Sequence, residues 1–259
     1  MAYSVAVTSG KGGVGKTSIA INLGMTLSRE GQRVCLLDTD FGLANAHILL
    51  GVNPKKTISD LLNDRATMSE LPCNGPAGLK LVAGGSGLTD LLKIDENIRN
   101  QIIRSTDALH DDLDVLIVDV PAGASDSAID IIAAADRVLV VLVGEPTSFT
   151  DAYTLIKACS LEKNTHHFSV VVNMANNANH AKDTFDRFKN ITDRFLDIDL
   201  RFAGYLPLSG ALRDSIVKRR PIMSENGETA ETQSFKKLAL TIAQSPENET
   251  PGLRFLGLK

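Results

Sequence analysis

Short runs of apolar, β-branched residues recur along the chain and alternate with longer stretches at helical spacing. Val5-Ala6-Val7, Arg33–Asp38, Leu79–Ala83, Asp114–Asp119, Arg137–Val143, Phe168–Val172 and Leu200–Leu206 read as strands. Residues 114–119 and 137–143 are almost continuously hydrophobic, which implies burial on both faces, as in a parallel sheet. Helical patterns begin at Ser18 and recur at Ile98–Leu109, Thr150–Leu161, Ala211–Arg219 and Glu231–Ala243. Residues 126–135 add a helix with Asp126 or Ser125 as its cap, 41–50 a short one, and Ile58–Leu62 a single turn. Pro72, Gly75, Pro76 and Gly78 mark residues 63–78 as a surface loop. This alternation predicts an α/β fold: a doubly wound, mostly parallel sheet with helices on both faces. The expected organisation is one domain over residues 1–244, then a polar linker and short tail over 245–259.

Composition narrows the class. The 259 residues are 43% hydrophobic and 22% charged with net charge −4, which suits one ordinary domain with a sizeable core. A mildly acidic chain is no general nucleic-acid binder. The basic cluster Lys218-Arg219-Arg220 sits at a helix end, where such charges usually compensate the dipole, and nucleic acid is not an expected partner. Cys35, Cys73 and Cys159 are far apart without metal-ligand spacing, so a reducing cytoplasm is the expected location. The first strand starts at once, leaving no room for a signal peptide, and no apolar run reaches membrane-spanning length.

The chemistry concentrates in Gly10-Lys11-Gly12-Gly13-Val14-Gly15-Lys16-Thr17, between the first strand and the first helix. Strand, glycine-rich turn and helix in that order make a phosphate-binding loop, whose backbone N–H groups and helix N-terminus face a polyphosphate. Lys16 is placed to reach the β- and γ-phosphates and Thr17 to hold Mg²⁺. Gly12, Gly13, Val14, Gly15, Lys16, Thr17 and Ser18 are the expected nucleotide-binding stretch. Gly10-x-Gly12-x-x-Gly15 also matches the dinucleotide fingerprint, with Asp38 near the place of its ribose-binding acid. Lys16-Thr17 decides against that reading, because a dinucleotide site needs neither residue. Lys11 has no use in a turn, but beside a triphosphate its cation can stabilise charge in the transition state.

Asp38, Asp40 and Asp119 lie at strand ends, where two strands converging on the loop bring carboxylates near Thr17. A lone strand-end Asp is usually a cap; three beside a complete phosphate loop point to metal and water chemistry. Asn173 ends a buried strand, either as an ordinary strand-stopping residue or as an amide that reads a base edge. In the tail, Leu253, Phe255, Leu256 and Leu258 with Arg254 and Lys259 are either a frayed terminus or a weak insertion into an anionic membrane surface.

Lys11 to Thr17 resembles the deviant Walker A motif of the MinD/ParA family of P-loop ATPases. In that family the first lysine crosses to the other subunit of an ATP-sandwiched dimer. The resemblance therefore implies an ATP-hydrolysing spatial switch that homodimerises around ATP and Mg²⁺, with Lys11 acting in trans. It implies that Lys11, Lys16 and Asp40 are catalytic, Asp40 by orienting the attacking water. Asp119, with Pro121-Ala122-Gly123, matches Walker B and switch II and would hold Mg²⁺ through water beside Thr17, with Asp38 supporting that shell. Asn173 would read adenine, with Pro207 and Leu208 lining the base. A C-terminal amphipathic helix anchors relatives to membrane, which implies peripheral location at the inner face of the cell membrane in the ATP dimer.

Gly42-Leu43-Ala44-Asn45 with Leu49-Leu50-Gly51 suits MinD and the flagellar-number regulators alike. Glu145-Pro146-Thr147, Thr150–Tyr153, Leu155-Ile156-Lys157, Thr192–Asp197 and Phe202–Pro207 resemble the flagellar branch, FlhG or FleN. That branch implies control of the number or placement of flagella, with flagellar assembly or regulatory proteins as partners. The alternatives are a division-site ATPase, a DNA-bound partitioning ATPase, or a scaffold that holds ATP without turnover. Two departures stand out: His47 stands where relatives usually carry an acid, and the first strand begins at once where relatives often carry an extension that stimulates the partner GTPase FlhF, so that activity is not expected.

Overall fold

A computed structural model describes residues 2–41, 45–85, 95–225, 227–249 and 251–257. Its centre is an eight-stranded sheet: β1 (Tyr3–Thr8), β2 (Val34–Asp38), β3 (Cys73–Asn74), β4 (Lys80–Val82), β5 (Val115–Asp119), β6 (Arg137–Leu142), β7 (His167–Ala175) and β8 (Asp199–Pro207). The order is β3-β4-β2-β5-β1-β6-β7-β8, and every pairing is parallel except β3 with β4 at the edge. The doubly wound expectation holds. Strands β1, β2, β5 and β6 are buried along almost their whole length, Val115–Asp119 throughout, because helices cover both faces.

One face carries α1 (Lys16–Arg29) and α9 (Ala230–Ala243), whose Phe235, Leu238, Ala239 and Ile242 form one buried stripe. The other face carries α4 (Glu96–Ser105), α5 (Asp126–Ala133), α6 (Pro146–Lys163) and α7 (Ala178–Thr192). Short helices α2 (Ala46–Leu50), α3 (Ile58–Leu62) and α8 (Gly210–Val217) complete the layers. Ser125 caps α5, its hydroxyl accepting from Ala128 N–H at 3.3 Å.

Several elements differ from the sequence reading. The pattern over 98–109 is α4 followed by a 3₁₀ segment, Thr106–Asp112. Helix α6 starts at Pro146 rather than Thr150, since proline fits the first turn, where no N–H is needed. The loop at 63–78 contains the antiparallel edge strand β3. Helix α7 went unread because its exposed face is rich in charge and amide. Its buried Ala181, Thr184, Phe185, Phe188 and Thr192 nevertheless recur at helical spacing.

The tail is corrected most. Residues 245–249 and 251–257 are not a loose linker: Asn248 is 2% exposed and its side chain bonds His166 N, His167 N and His167 O. Arg254 pairs with Asp136, which also accepts from Ser4 N–H and Ser4 Oγ–H at 2.7 Å. Phe255 and Leu256 are buried in the core, and their N–H groups reach Ala134 O and Thr106 Oγ1. Apolar area withdrawn from water favours this docking over solution, and because Phe255 and Leu256 are buried, the expectation that they offer a membrane surface fails in this conformation. Leu253 is half-buried, and Leu258 lies outside the described residues, as do Gly42, Leu43 and Ala44.

Candidate functional site

The glycine loop leaves β1, which is flanked by β5 and β6, at the carboxyl edge of the sheet, where open α/β sheets bind ligands. Backbone of α6 presses against Gly10: a Cβ there would lie 2.1 Å from the Asp151 carbonyl carbon, so only glycine fits. The loop hands over to α1 through Gly15 at φ 89°, and α1 points its free N–H groups at the loop interior.

Register brings the carboxylates together. Asp119 is paired with Val7 on β1 and with Asp38 on β2, so both acids stand side by side beneath the loop. Lys16 is buried and its ammonium bonds Asp119 Oδ1 at 2.7 Å. Asp119 Oδ2 is equally buried and has no hydrogen-bond partner. Burial pushes the Asp119 carboxyl up, against the pull of Lys16 and the Thr17 hydroxyl. A buried, half-satisfied carboxylate oxygen near a threonine hydroxyl is a donor set of the hard-oxygen kind that Mg²⁺ takes, with water filling its shell. Asp119 and Thr17 therefore fit the metal.

Asp38 is engaged otherwise. Its two oxygens accept from Asp40 N–H and Ala46 N–H, both at 3.1 Å, and so hold the turn that carries Asp40 and the start of α2. Burial first, then the Asp119 charge, pushes its carboxyl up to about 7. Of the three predicted acids, Asp40 alone opens into the cavity at the loop's mouth, about 460 Å³, with Lys11, Thr17 and Asn45.

Lys11 lies on the outer edge of the loop and bonds Glu145 Oε2 at 2.7 Å and Thr147 Oγ1 at 3.3 Å. Sequence reasoning assigned Glu145 and Thr147 no part in the site; the available signal was a polar Glu-Pro-Thr directly after a buried strand. His47 lies on α2 with a buried Nδ1 that has no partner.

A second cavity of about 480 Å³ adjoins the loop. Its wall is mostly apolar, from Leu206, Pro207, Leu208, Leu212, Ile216 and Phe235, with Asn173, Gly15 and Ser18 on the loop side. That shape suits a flat aromatic base. The amide of Asn173 is turned to the protein, donating to Val14 O at 2.7 Å and accepting from Met174 N–H at 2.9 Å.

The chain is similar to several known proteins. The ParA family, described as NUBPL iron-transfer P-loop NTPase, matches residues 1–243. The antiactivator FleN of Pseudomonas aeruginosa is 36% identical over 95% of the chain and 88% of that protein. The flagellum site-determining protein YlxH of Helicobacter pylori is 30% identical over 98% of the chain and 86% of its own. The septum site-determining protein MinD of Pyrococcus horikoshii, solved with Mg-ADP, superposes with a TM-score of 0.77 at 21% identity. That structure covers 94% of this chain, and 97% of its own chain is covered.

Proposed function

Since this chain belongs to the ParA family of P-loop NTPases, we propose that it is an ATP-hydrolysing spatial switch that controls the number or placement of flagella. The observation that carries the chemistry is the convergence of Lys16, Thr17 and Asp119 under one glycine loop. The flagellar assignment rests on YlxH and FleN, each matched over nearly the whole chain.

Hydrolysis follows from placement. Loop N–H groups and the α1 N-terminus bind the phosphates, and Lys16 exchanges Asp119 for their terminal oxygens. Thr17 and Asp119 would hold Mg²⁺, which would supply positive charge against the phosphates. Asp40, at the open mouth, orients the attacking water. Pro207 and Leu208 cover the base beside Asn173. Lys11, on the outer edge, acts on the nucleotide of a second copy, so turnover depends on a homodimer. Phosphoryl transfer asks little covalent chemistry of a protein, and this positioning with its charges supplies most of the catalysis.

The cell-level output is a conformational and assembly state read by flagellar assembly or regulatory proteins. Membrane contact through Phe255 and Leu256 is no part of the proposal, because both are buried. No helix among the described residues is long and apolar enough to cross a membrane.

The test is to delete the gene in its source organism, then complement with wild type or Asp40→Ala while counting flagella and division sites. An altered flagellar number with normal division, restored by wild type and not by Asp40→Ala, supports the switch. Full rescue by Asp40→Ala sinks hydrolysis as the working step. Minicells with normal flagella would place the protein at the division site.

A further inference from the structure

The two ends of the Asn173 amide tie the base pocket to the phosphate loop. Asn173 is 7% exposed, and its Nδ2 donates to the carbonyl of Val14, inside the loop, at 2.7 Å. The contact is built from both sides. A Cβ on Gly15 would lie 2.6 Å from Asn173 Nδ2, so glycine there lets the amide rest on the loop. On the other side Met174 adopts φ 55°, a left-handed conformation costly for a side chain, and its N–H reaches Asn173 Oδ1 at 2.9 Å. The kink coincides with the register shift between β7 and β8 at Val172/Ala175.

The carbonyl of Val14 and the N–H of Gly15 belong to one planar trans peptide, and point in opposite directions. A donor that fixes that carbonyl therefore also fixes where the Gly15 N–H points. We infer that Asn173 is a positioning residue for phosphate binding: it orients the Val14–Gly15 peptide so that its N–H faces the loop interior. A purine edge that reads the same amide competes with Val14 O, so base and phosphate recognition share one side chain. The inference rests on the nucleotide reading of the site and goes beyond base recognition.

A ligand without a base separates the two roles. Calorimetry compares magnesium tripolyphosphate and ATP on wild type, Asn173→Ala and Asn173→Asp. The aspartate keeps an acceptor for Met174 but has no donor for Val14. Both variants should bind tripolyphosphate about tenfold more weakly than wild type, the worth of one such hydrogen bond. In labelled wild type, tripolyphosphate should also shift the Asn173 side-chain amide resonance, a readout that needs no folded variant. Wild-type tripolyphosphate affinity in both variants, with ATP alone weakened, would overturn the inference and leave Asn173 as a base reader. An unmoved resonance would overturn it too. Wild-type protein that binds neither ligand would instead remove the nucleotide reading beneath it.

Discussion

Lys11 Nζ sits 2.7 Å from Glu145 Oε2 of its own chain, on side chains 40% and 60% exposed. The signature lysine is thus held at the rim of the site by the residue that opens α6. An exposed pair of this kind contributes about 0–1 kcal/mol, so the tether is weak enough to exchange. Lys11→Ala should abolish hydrolysis while ATP still binds, measured by phosphate release and calorimetry. Full turnover in that variant would end the case for Lys11 in catalysis. Glu145→Gln should shift the melting temperature by no more than about 4 °C.

Lys16 and Asp119 are different, because both are buried. Removing one partner strands the other, a loss of about 3 kcal/mol. Lys16→Ala should melt roughly 6–12 °C below wild type, and should lose ATP binding as well. A melting temperature unchanged in Lys16→Ala would mean that the pair carries no net stability.

Asp38 sets a pH dependence whose sign follows from its raised pKa of about 7. The folded chain keeps a proton that the unfolded chain has released above the ordinary value of 3.8. The stabilisation is complete below 3.8 and is lost as pH rises through about 7. Between pH 6 and pH 8 wild type should lose about 1 kcal/mol more stability than Asp38→Asn. Denaturant titrations of both proteins at the two pH values check it; parallel losses would place the Asp38 pKa elsewhere.

Phe255 tests the docked tail. The ring is 2% exposed and packs in the core, so Phe255→Ala should cost about 3 kcal/mol through the lost contacts and the cavity left behind. A tail that lay free, or that waited for a membrane, would show no change in thermal stability. Arg254→Ala should weaken the same docking by removing the partner of Asp136.

Much of this was legible one segment at a time. The run 114–119 could only be a buried strand, since five near-continuous apolar residues match neither a half-solvated strand nor a turn. Lys16-Thr17 after the loop glycines named the phosphate site, because glycines, lysine and hydroxyl are neighbours in the chain. Helix α7 escaped because its apolar positions are few and its solvent face is polar; burial against β7 and β8, not propensity, makes it a helix.

What the sequence determined by itself was therefore the parallel α/β class and the loop chemistry, both carried by neighbours in the chain. Only tertiary structure decided the rest. Strand register set Asp38 beside Asp119, and folding brought the backbone N–H groups of Asp40 and Ala46 onto the Asp38 carboxylate. Residues 134 apart brought Lys11 to Glu145, and residues 159 apart brought Asn173 to Val14. The tail's fate was a comparison of environments: its residues suit a lipid surface or a core, and the fold brought acceptors on Ala134 and Thr106 within reach of the Phe255 and Leu256 N–H groups. Long-range contacts of this kind depend on where the sheet places distant segments, which no local pattern encodes.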